Sequence, residues 1–457
     1  MSAAATAVPQ RPPRLAPLML PLLAELGLMV TMGLIGTALA ARQSDAAAAA
    51  FAMGQQVAGL VLVLLRVIGA GISVVVARQL GAGEVALAAR TARASLTASA
   101  WLGAGLALAA ALPASAWMAL LQAPDAVAPA AAEFLVWLAP VFVLEALIST
   151  QASVLRAHLQ ARATLVLNAV IQAVHLMLAL ALMPQWGLPG FALAMVLSRG
   201  LGLGLGAWMC THRIGLPWRW VDLLTPPGAA LREVLHVGVP SAAENILYRV
   251  CATATLAVGG SLGAPTLAAQ AYALQLNTIT LLPGLALGLS MEVLVGHAMG
   301  QRSLRLAHRR LNRALALGLV CSVAAAAAMA LLGPTILRAF TRDEAVAAMA
   351  LTALWWTVLL EPGRTFNLVV INGLRAAGDT RFPVLAGAVS MVVVLAGGSW
   401  LLGAHLGLGL AGVWIAYAAD EWIRGLLMWW RWQGLYWVPH ARSVTRRMRQ
   451  AQASARA

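Results

Sequence analysis

Charge is the first thing this chain is short of. Only 10% of its 457 residues are charged, against about 25% in soluble domains. Lysine is missing altogether, so all 31 basic residues are arginine. Cysteine is scarce as well. Cys210, Cys251 and Cys321 lie singly inside apolar runs, which excludes a disulfide framework and the paired spacing of a zinc site. No Gly-Lys-Ser/Thr follows the glycines of "GAGE" (81–84) or "AAGD" (376–379), so neither is a nucleotide-binding loop. Both read as turns between helices.

What the chain does have is apolar length. Hydrophobic residues make up 61% of it, and the mean hydropathy is +0.82. The apolar runs are roughly 20 residues long, enough to cross about 30 Å of hydrocarbon. About twelve can be counted, from 15–39 to 408–432. They are apolar all round, as buried or lipid-facing helices are. The first run has a counterpart later in the chain, so it is not read as a removable signal peptide.

The net charge of +15 invites a nucleic-acid partner, but its distribution argues against one. Arginines gather in alternate connections: Arg11 and Arg14; Arg78, Arg90 and Arg93; Arg156 and Arg162; Arg213, Arg219 and Arg232; Arg302 to Arg313; Arg375 and Arg381; Arg442, Arg446, Arg447 and Arg449. The connections between them are short and nearly uncharged. The positive-inside rule then places both termini in the cytoplasm, which requires an even number of spans.

"LRAHLQARATLVLNAV" (155–170) recurs as "LRAAGDTRFPVLAGAV" (374–389), 219 residues later. The same offset relates "PLLAE" (21–25) to "PSAAE" (240–244), and "ARQLGAGEVALAAR" (77–90) to "GHAMGQRSLRLAHR" (296–309). "WGLPGFALA" (186–194) echoes "LGLAGVWIA" (408–416) with a slip of a few residues. The expected architecture is all-α, with about twelve transmembrane helices in two parallel six-helix repeats around a central cleft. Its parts are an N-lobe (1–214), a cytoplasmic linker (215–235, with "TPPG" at 225–228), a C-lobe (236–432) and a basic cytoplasmic tail (433–457).

"LPLLAELGLMVTMGLIGTALA" (20–40), "ARQLGAG" (77–83), "VPSAAENILYRV" (239–250) and "LEPGRTFNLVVINGLRAAGDTRFP" (360–383) resemble the multidrug and toxic compound extrusion (MATE) family, in the right order and over nearly the whole chain. The resemblance implies export of organic, often cationic, compounds driven by Na⁺ or H⁺, with no cofactor. The usual coupling carboxylates are largely absent. Gly36 stands for the first-helix Asp and Ala179 for a fifth-helix Asp, with His175 where an Asn often sits. Tyr248 replaces a seventh-helix Glu and Arg364 a tenth-helix Asp.

A charge at the bilayer centre costs about 2.5–3.5 kcal/mol and asks for a reason. Glu25 and Glu244 occupy equivalent places, and a carboxyl there suits a proton carrier; the plainer role is a hydrogen bond to a neighbouring helix. Arg249 is a candidate partner that would hold Glu244 ionised, and Arg66 is a further intramembrane cation. Glu361 and Arg364, three apart, share a helix face and are expected to pair. Glu145 is the repeat equivalent of Arg364, and the two are candidates for a latch across the repeat axis. Asn168, Gln172 and His175 form a helical stripe. Gln55, Gln56, Gln275, Asn277 and Asn367 face the cleft by family analogy, although amides also simply join helices.

Three readings follow. The first is an ion-driven antiporter exporting small organic compounds by alternating access. The second is a flippase or exporter of an anionic or lipid-linked substrate, favoured by the arginines and the missing Asp. A membrane-embedded enzyme has no cluster of catalytic residue types behind it. The lysine-free, Ala-rich composition points to a GC-rich bacterium and hence its inner membrane. The partners expected are the lipid bilayer and a small organic substrate, with neither nucleic acid nor an obligate protein partner.

Overall fold

The computed structural model describes residues 14–218 and 229–443 together with Arg446, and Arg66 lacks a described side chain. The arginines at 11, 219, 447 and 449, the "TPPG" of the linker and most of the basic tail lie outside the described residues. Thirteen helices and no strand occur among the described residues.

The first unit, Met1–Gly238, contains α1 (Ala16–Gln43), α2 (Asp45–Gly81), α3 (Val85–Ala111), the short α4 (Ala114–Leu120), α5 (Ala128–Ala157) and α6 (Ala161–Ile214). The junction of α1 and α2 is local chemistry. Ser44 leaves helical geometry and its Oγ accepts from the Ala47 amide at 3.0 Å, with Asp45 in the first turn of α2. α6 is two membrane passes joined at Gly187, whose φ of +63° interrupts the helix between Pro184 and Pro189. Gly190 then lets the returning arm lie on the outgoing one, because a Cβ there would stand 2.5 Å from the Leu182 carbonyl oxygen.

The second unit, Val239–Ala457, repeats this order. It takes up α7 (Ala229–Ser261) from Val239 onward, then α8 (Ala264–Thr280), α9 (Leu282–Gly300), α10 (Leu304–Leu337), α11 (Glu344–Ala377), α12 (Arg381–His405, π-helical from Met391) and α13 (Gly409–Gln433). The 219-residue offset is visible in the helix boundaries. α2 starts at Asp45 and α8 at Ala264; α3 starts at Val85 and α10 at Leu304. α8 and α9 together cover the length of α2, broken beside Pro283. Gly409, with a φ of +59°, turns α12 into α13 as Gly187 turns α6 on itself, and Gly412 repeats the close approach, against Leu402. The echo between "WGLPG" and "LGLAG" is this hairpin, built twice.

Counting the two arms of α6, and α8 with α9 as one pass, each repeat has six passes and the chain twelve. Nine of the described helices are individually long and apolar enough to cross a bilayer. Each unit has its own core. Phe51, Phe134, Phe142 and Phe191 dominate the first, with the Phe51 and Phe191 rings edge to face at 5.1 Å. Trp414, Tyr417, Leu354 and Leu395 dominate the second.

The paired hairpins predict that Gly190→Ala and Gly412→Ala each destabilise by about 1–3 kcal/mol through overpacking against backbone. Gly204→Ala, where a Cβ meets open space, should be neutral or gain up to about 1 kcal/mol in helix propensity. Thermal unfolding of the three purified variants in detergent checks this, and equal midpoints would remove the close-approach account.

Candidate functional site

The densest polar cluster lies in the second unit, between α11, α13 and α8. Glu361 and Arg364 are one helical turn apart on α11, and Arg364 Nη1 donates to Glu361 Oε1 at 2.7 Å. Arg364 Nε donates to Glu421 Oε1 on α13 at 3.3 Å. Arg424, one turn beyond Asp420, donates to Asp420 Oδ2 at 2.7 Å and bridges Glu421 Oε1 at 2.9 Å. Asn367 donates to Glu421 Oε2 at 3.0 Å and Ser390 Oγ to Asp420 Oδ1 at 2.6 Å. Asn277 completes the floor, its amide oriented by the network. The nitrogen faces Glu361 and donates to Thr280 Oγ1 at 2.9 Å, while the oxygen accepts from Arg364 Nη1 at 3.3 Å. The Tyr248 ring lies 5.9 Å from the Arg424 guanidinium, within cation–π range.

Three carboxylates therefore meet two guanidiniums in a region where Glu361 is wholly buried. Glu361 Oε2 has no hydrogen-bond partner. With every group ionised, the cluster holds one negative charge too many. Uptake of a single proton or monovalent cation cancels it.

The first unit carries the counterpart pair with its charges exchanged. Arg199 Nε on the second arm of α6 donates to Glu145 Oε2 on α5 at 3.1 Å. Glu145 and Arg364 are 219 apart, and Arg199 and Glu421 are 222 apart, the offset of the hairpin. The two halves thus keep an ion pair at one place in the repeat and reverse its polarity. Glu145 and Arg364, considered from the sequence as a latch between halves, each have a partner within their own unit.

Around Gly36 and Ala179, where the family resemblance expects carboxylates, the first unit is packed with apolar side chains. A Cβ on Gly36 would stand 3.1 Å from both Phe51 and Phe191, and Ala179 belongs to the same apolar core. A side chain at Gly36 would have to displace both rings. Of the polar stripe, Asn168 donates to the Thr164 carbonyl one turn back, the bland structural use of an amide. His175 is buried, its ring edge-on to Phe191 at 4.8 Å, and neither of its nitrogens has a partner. Gln172 is buried one turn before it.

Glu25 and Glu244 are both ion-paired, and by equivalent residues. Arg156 Nη1 lies 3.4 Å from Glu25 Oε1, and Arg375 Nη2 lies 2.6 Å from Glu244 Oε2. Arg156 and Arg375 are the arginines of the repeated "LRA", so the duplicated motifs at 21–25 and 155–157 are two halves of one contact, made once per unit. The partner of Glu244 is Arg375 and not Arg249. Five residues along a helix turn the side chain through roughly 140°, and Arg249 is exposed. Gln275 is exposed too, and Asn277, two residues on, is the α8 amide that enters the cluster.

Arg199, Asp420, Glu421 and Arg424 were not singled out by the sequence reading. The signal for the last three was legible: "ADEWIRG" (419–425, in α13) puts three charges inside an apolar span, with Asp420 and Arg424 four apart on one face.

The MatE family model matches residues 21–181 and 240–400, once in each half. The chain is 28% identical to the uncharacterized transporter YisQ of Bacillus subtilis (strain 168), over 92% of this chain and 93% of that protein. It is 30% identical to the probable multidrug resistance protein NorM of Rhodopseudomonas palustris, over 47% of this chain and 46% of that one. Among solved structures it is similar to a MOP superfamily transporter from Pyrococcus furiosus, with a TM-score of 0.87 at 17% identity, covering 93% and 96% of the two chains. A mutant of the Vibrio cholerae MATE transporter VcmN gives 0.85 at 19% identity, covering 92% and 96%. At these identities the structures show a shared fold.

If the two Glu–Arg contacts are structural ties, removing either arginine leaves a largely buried carboxylate unpaired. Arg156→Gln and Arg375→Gln should each lower stability by about 1–3 kcal/mol, less than a fully buried pair because both are partly solvated. Exchanging the partners, with Glu25→Arg and Arg156→Glu together, should recover most of the loss. Thermal midpoints of the singles and the exchange variant read this, and no recovery would mean the contact is not a pair.

Proposed function

The chain belongs to the MatE family, and we propose that it exports small organic compounds in exchange for protons that bind the cluster of Glu361, Arg364, Asp420, Glu421 and Arg424. Family members are transporters, not enzymes. One observation carries the choice of site: three buried carboxylates share two guanidiniums, and one oxygen, Glu361 Oε2, is left without a donor. A net charge in hydrocarbon is costly, so the protonated cluster is the form that can be enclosed. The ionised form belongs to a state open to water. Coupling arises because the two forms favour different conformations.

A proton suits this cluster better than Na⁺. A metal cation asks for several oxygen ligands at once, whereas Arg364 already occupies Glu361 Oε1 at 2.7 Å and brings its own positive charge. A proton needs one lone pair, and Oε2 offers it. One charge moved across 100 mV supplies about 2.3 kcal/mol, roughly fifty-fold in concentration.

The arginine distribution supports both termini being cytoplasmic, in a bacterial inner membrane. Arg156, Arg162, Arg375 and Arg381 at the ends of equivalent helices then face the cytoplasm. The Glu25 and Glu244 pairs lie toward that side and tie the first helix of each unit.

The test is flux in proteoliposomes under an imposed pH gradient, then a Na⁺ gradient, with Glu361→Gln beside the wild type. The expected result is pH-driven export of a dye that Glu361→Gln lowers at least ten-fold, while exchange of dye for dye without a gradient persists. Gradient-driven flux that is unchanged in Glu361→Gln, or that responds to Na⁺ alone, would move the coupling site elsewhere.

A further inference from the structure

The two charge-exchanged pairs differ in how fully their arginines are used. In the second unit, Arg364 gives Nε to Glu421 and Nη1 to Glu361 and Asn277. In the first unit, Arg199 gives Nε to Glu145 alone, and its Nη1 is buried without a partner. Leaving such a donor unmade is costly, and more so when the group is charged. A transporter that tolerates this has a use for the donor.

His175 adds a second unmet group at the same place. Gly202 packs on Ile171 and Gly206 on Leu167, which fixes the register of the two α6 arms: four residues forward on one is four back on the other. That register sets His175 opposite Ser198, beside Arg199. Both ring nitrogens of His175 are buried without partners. Gln172, one turn away on the same arm, is buried as well.

Exposure is graded across this group. The Glu145 side chain is 25% exposed and that of Arg199 10%, while His175 is 4% exposed. Glu145 is therefore the most accessible of the three and His175 the least. Glu145 offers a negative acceptor, and Arg199 and His175 offer a guanidinium edge and an imidazole with nothing to bind.

We infer that Glu145, Arg199 and His175 form a recognition site for a small amino carboxylate. The ligand's carboxylate docks on Arg199 Nη1 and His175, and its ammonium group on Glu145. Glu145 Oε2 and Arg199 Nε are 3.1 Å apart, which calls for a carboxylate and an ammonium set close together, as in an α- or β-amino acid skeleton. A lone carboxylate meets repulsion at Glu145, and a lone amine leaves Arg199 Nη1 unmet. This rests on the export reading and divides its labour. The saturated pair in the second unit handles the proton, and the unsaturated pair in the first handles the substrate.

Three probes sharing one carbon skeleton test it: L-leucine, 4-methylpentanoate and isopentylamine, each radiolabelled, bound to purified protein by equilibrium dialysis at millimolar concentration. The expected order is leucine first, then the carboxylate, then the amine. Arg199→Gln should cost leucine and 4-methylpentanoate at least ten-fold in affinity and His175→Gln roughly three-fold, while Glu145→Gln places the carboxylate ahead of leucine. Because Arg199→Gln strands Glu145, the double variant Glu145→Gln with Arg199→Gln, neutral at both positions, is carried alongside with its thermal midpoint. It should stay folded and show no order among the probes.

Equal binding of the three probes by wild type, binding led by the amine, no measurable binding of either carboxylate, or an order unchanged in the double variant would each overturn the site and leave its donors to water. The flux experiment fails separately. Proton-driven dye export with no probe order sinks this site and leaves the export reading standing, and the probe order without gradient-driven flux does the reverse.

Discussion

Hydrocarbon does not pay for an unpaired charge, and this molecule is organised around that fact. Among the described residues, Glu25, Glu145, Glu244, Glu361, Asp420 and Glu421 each sit in a membrane-length helix, and each has an arginine within 3.4 Å. Four of these ion pairs cross between helices or helix arms, and those also set which helices lie side by side. Glu25 binds the end of α5 through Arg156, and Glu244 binds the end of α11 through Arg375. Glu145 and Arg364 bind the second arm of α6 and α13. The glycines that let backbones touch, at 190 and 412, hold the same bundles together where side chains are apolar.

Duplication supplied these ties twice, and the two copies have since diverged in informative ways. The pair near one end of each unit is kept with its polarity. The pair deeper in the bundle is kept with its polarity reversed, and only the second unit surrounds it with further acids and amides. A symmetric scaffold thus carries different polar groups in its two halves. Phenylalanines fill the space around Gly36 and Ala179, so the asymmetry is enforced by packing as well as by charge.

Much of this was legible before any coordinates. The number and length of the apolar runs, the 219-residue offset and the arginine-rich connections carry the fold class, because a bilayer leaves a helix few alternatives. Glu361 with Arg364 was legible too, since a three-residue spacing puts both on one face. The partner of Glu244 was not. Arg249 is near in sequence, but helical geometry points it away, and Arg375, 131 residues on, reads in the sequence as a topology signal.

The sequence by itself determined a twelve-pass, twofold-repeated helical membrane protein of the MatE family, since hydropathy and repetition are one-dimensional properties read directly along the chain. It also determined that ionisable groups would lie inside the membrane. Only the tertiary structure decided which acid meets which arginine, that Glu421 and Arg424 join Glu361 while Arg199 is left with a donor to spare, and that Gly36 is sealed by aromatic rings. Those are distances between helices far apart in the chain. No local spacing encodes them, because helix–helix contact is settled by the packing of whole faces.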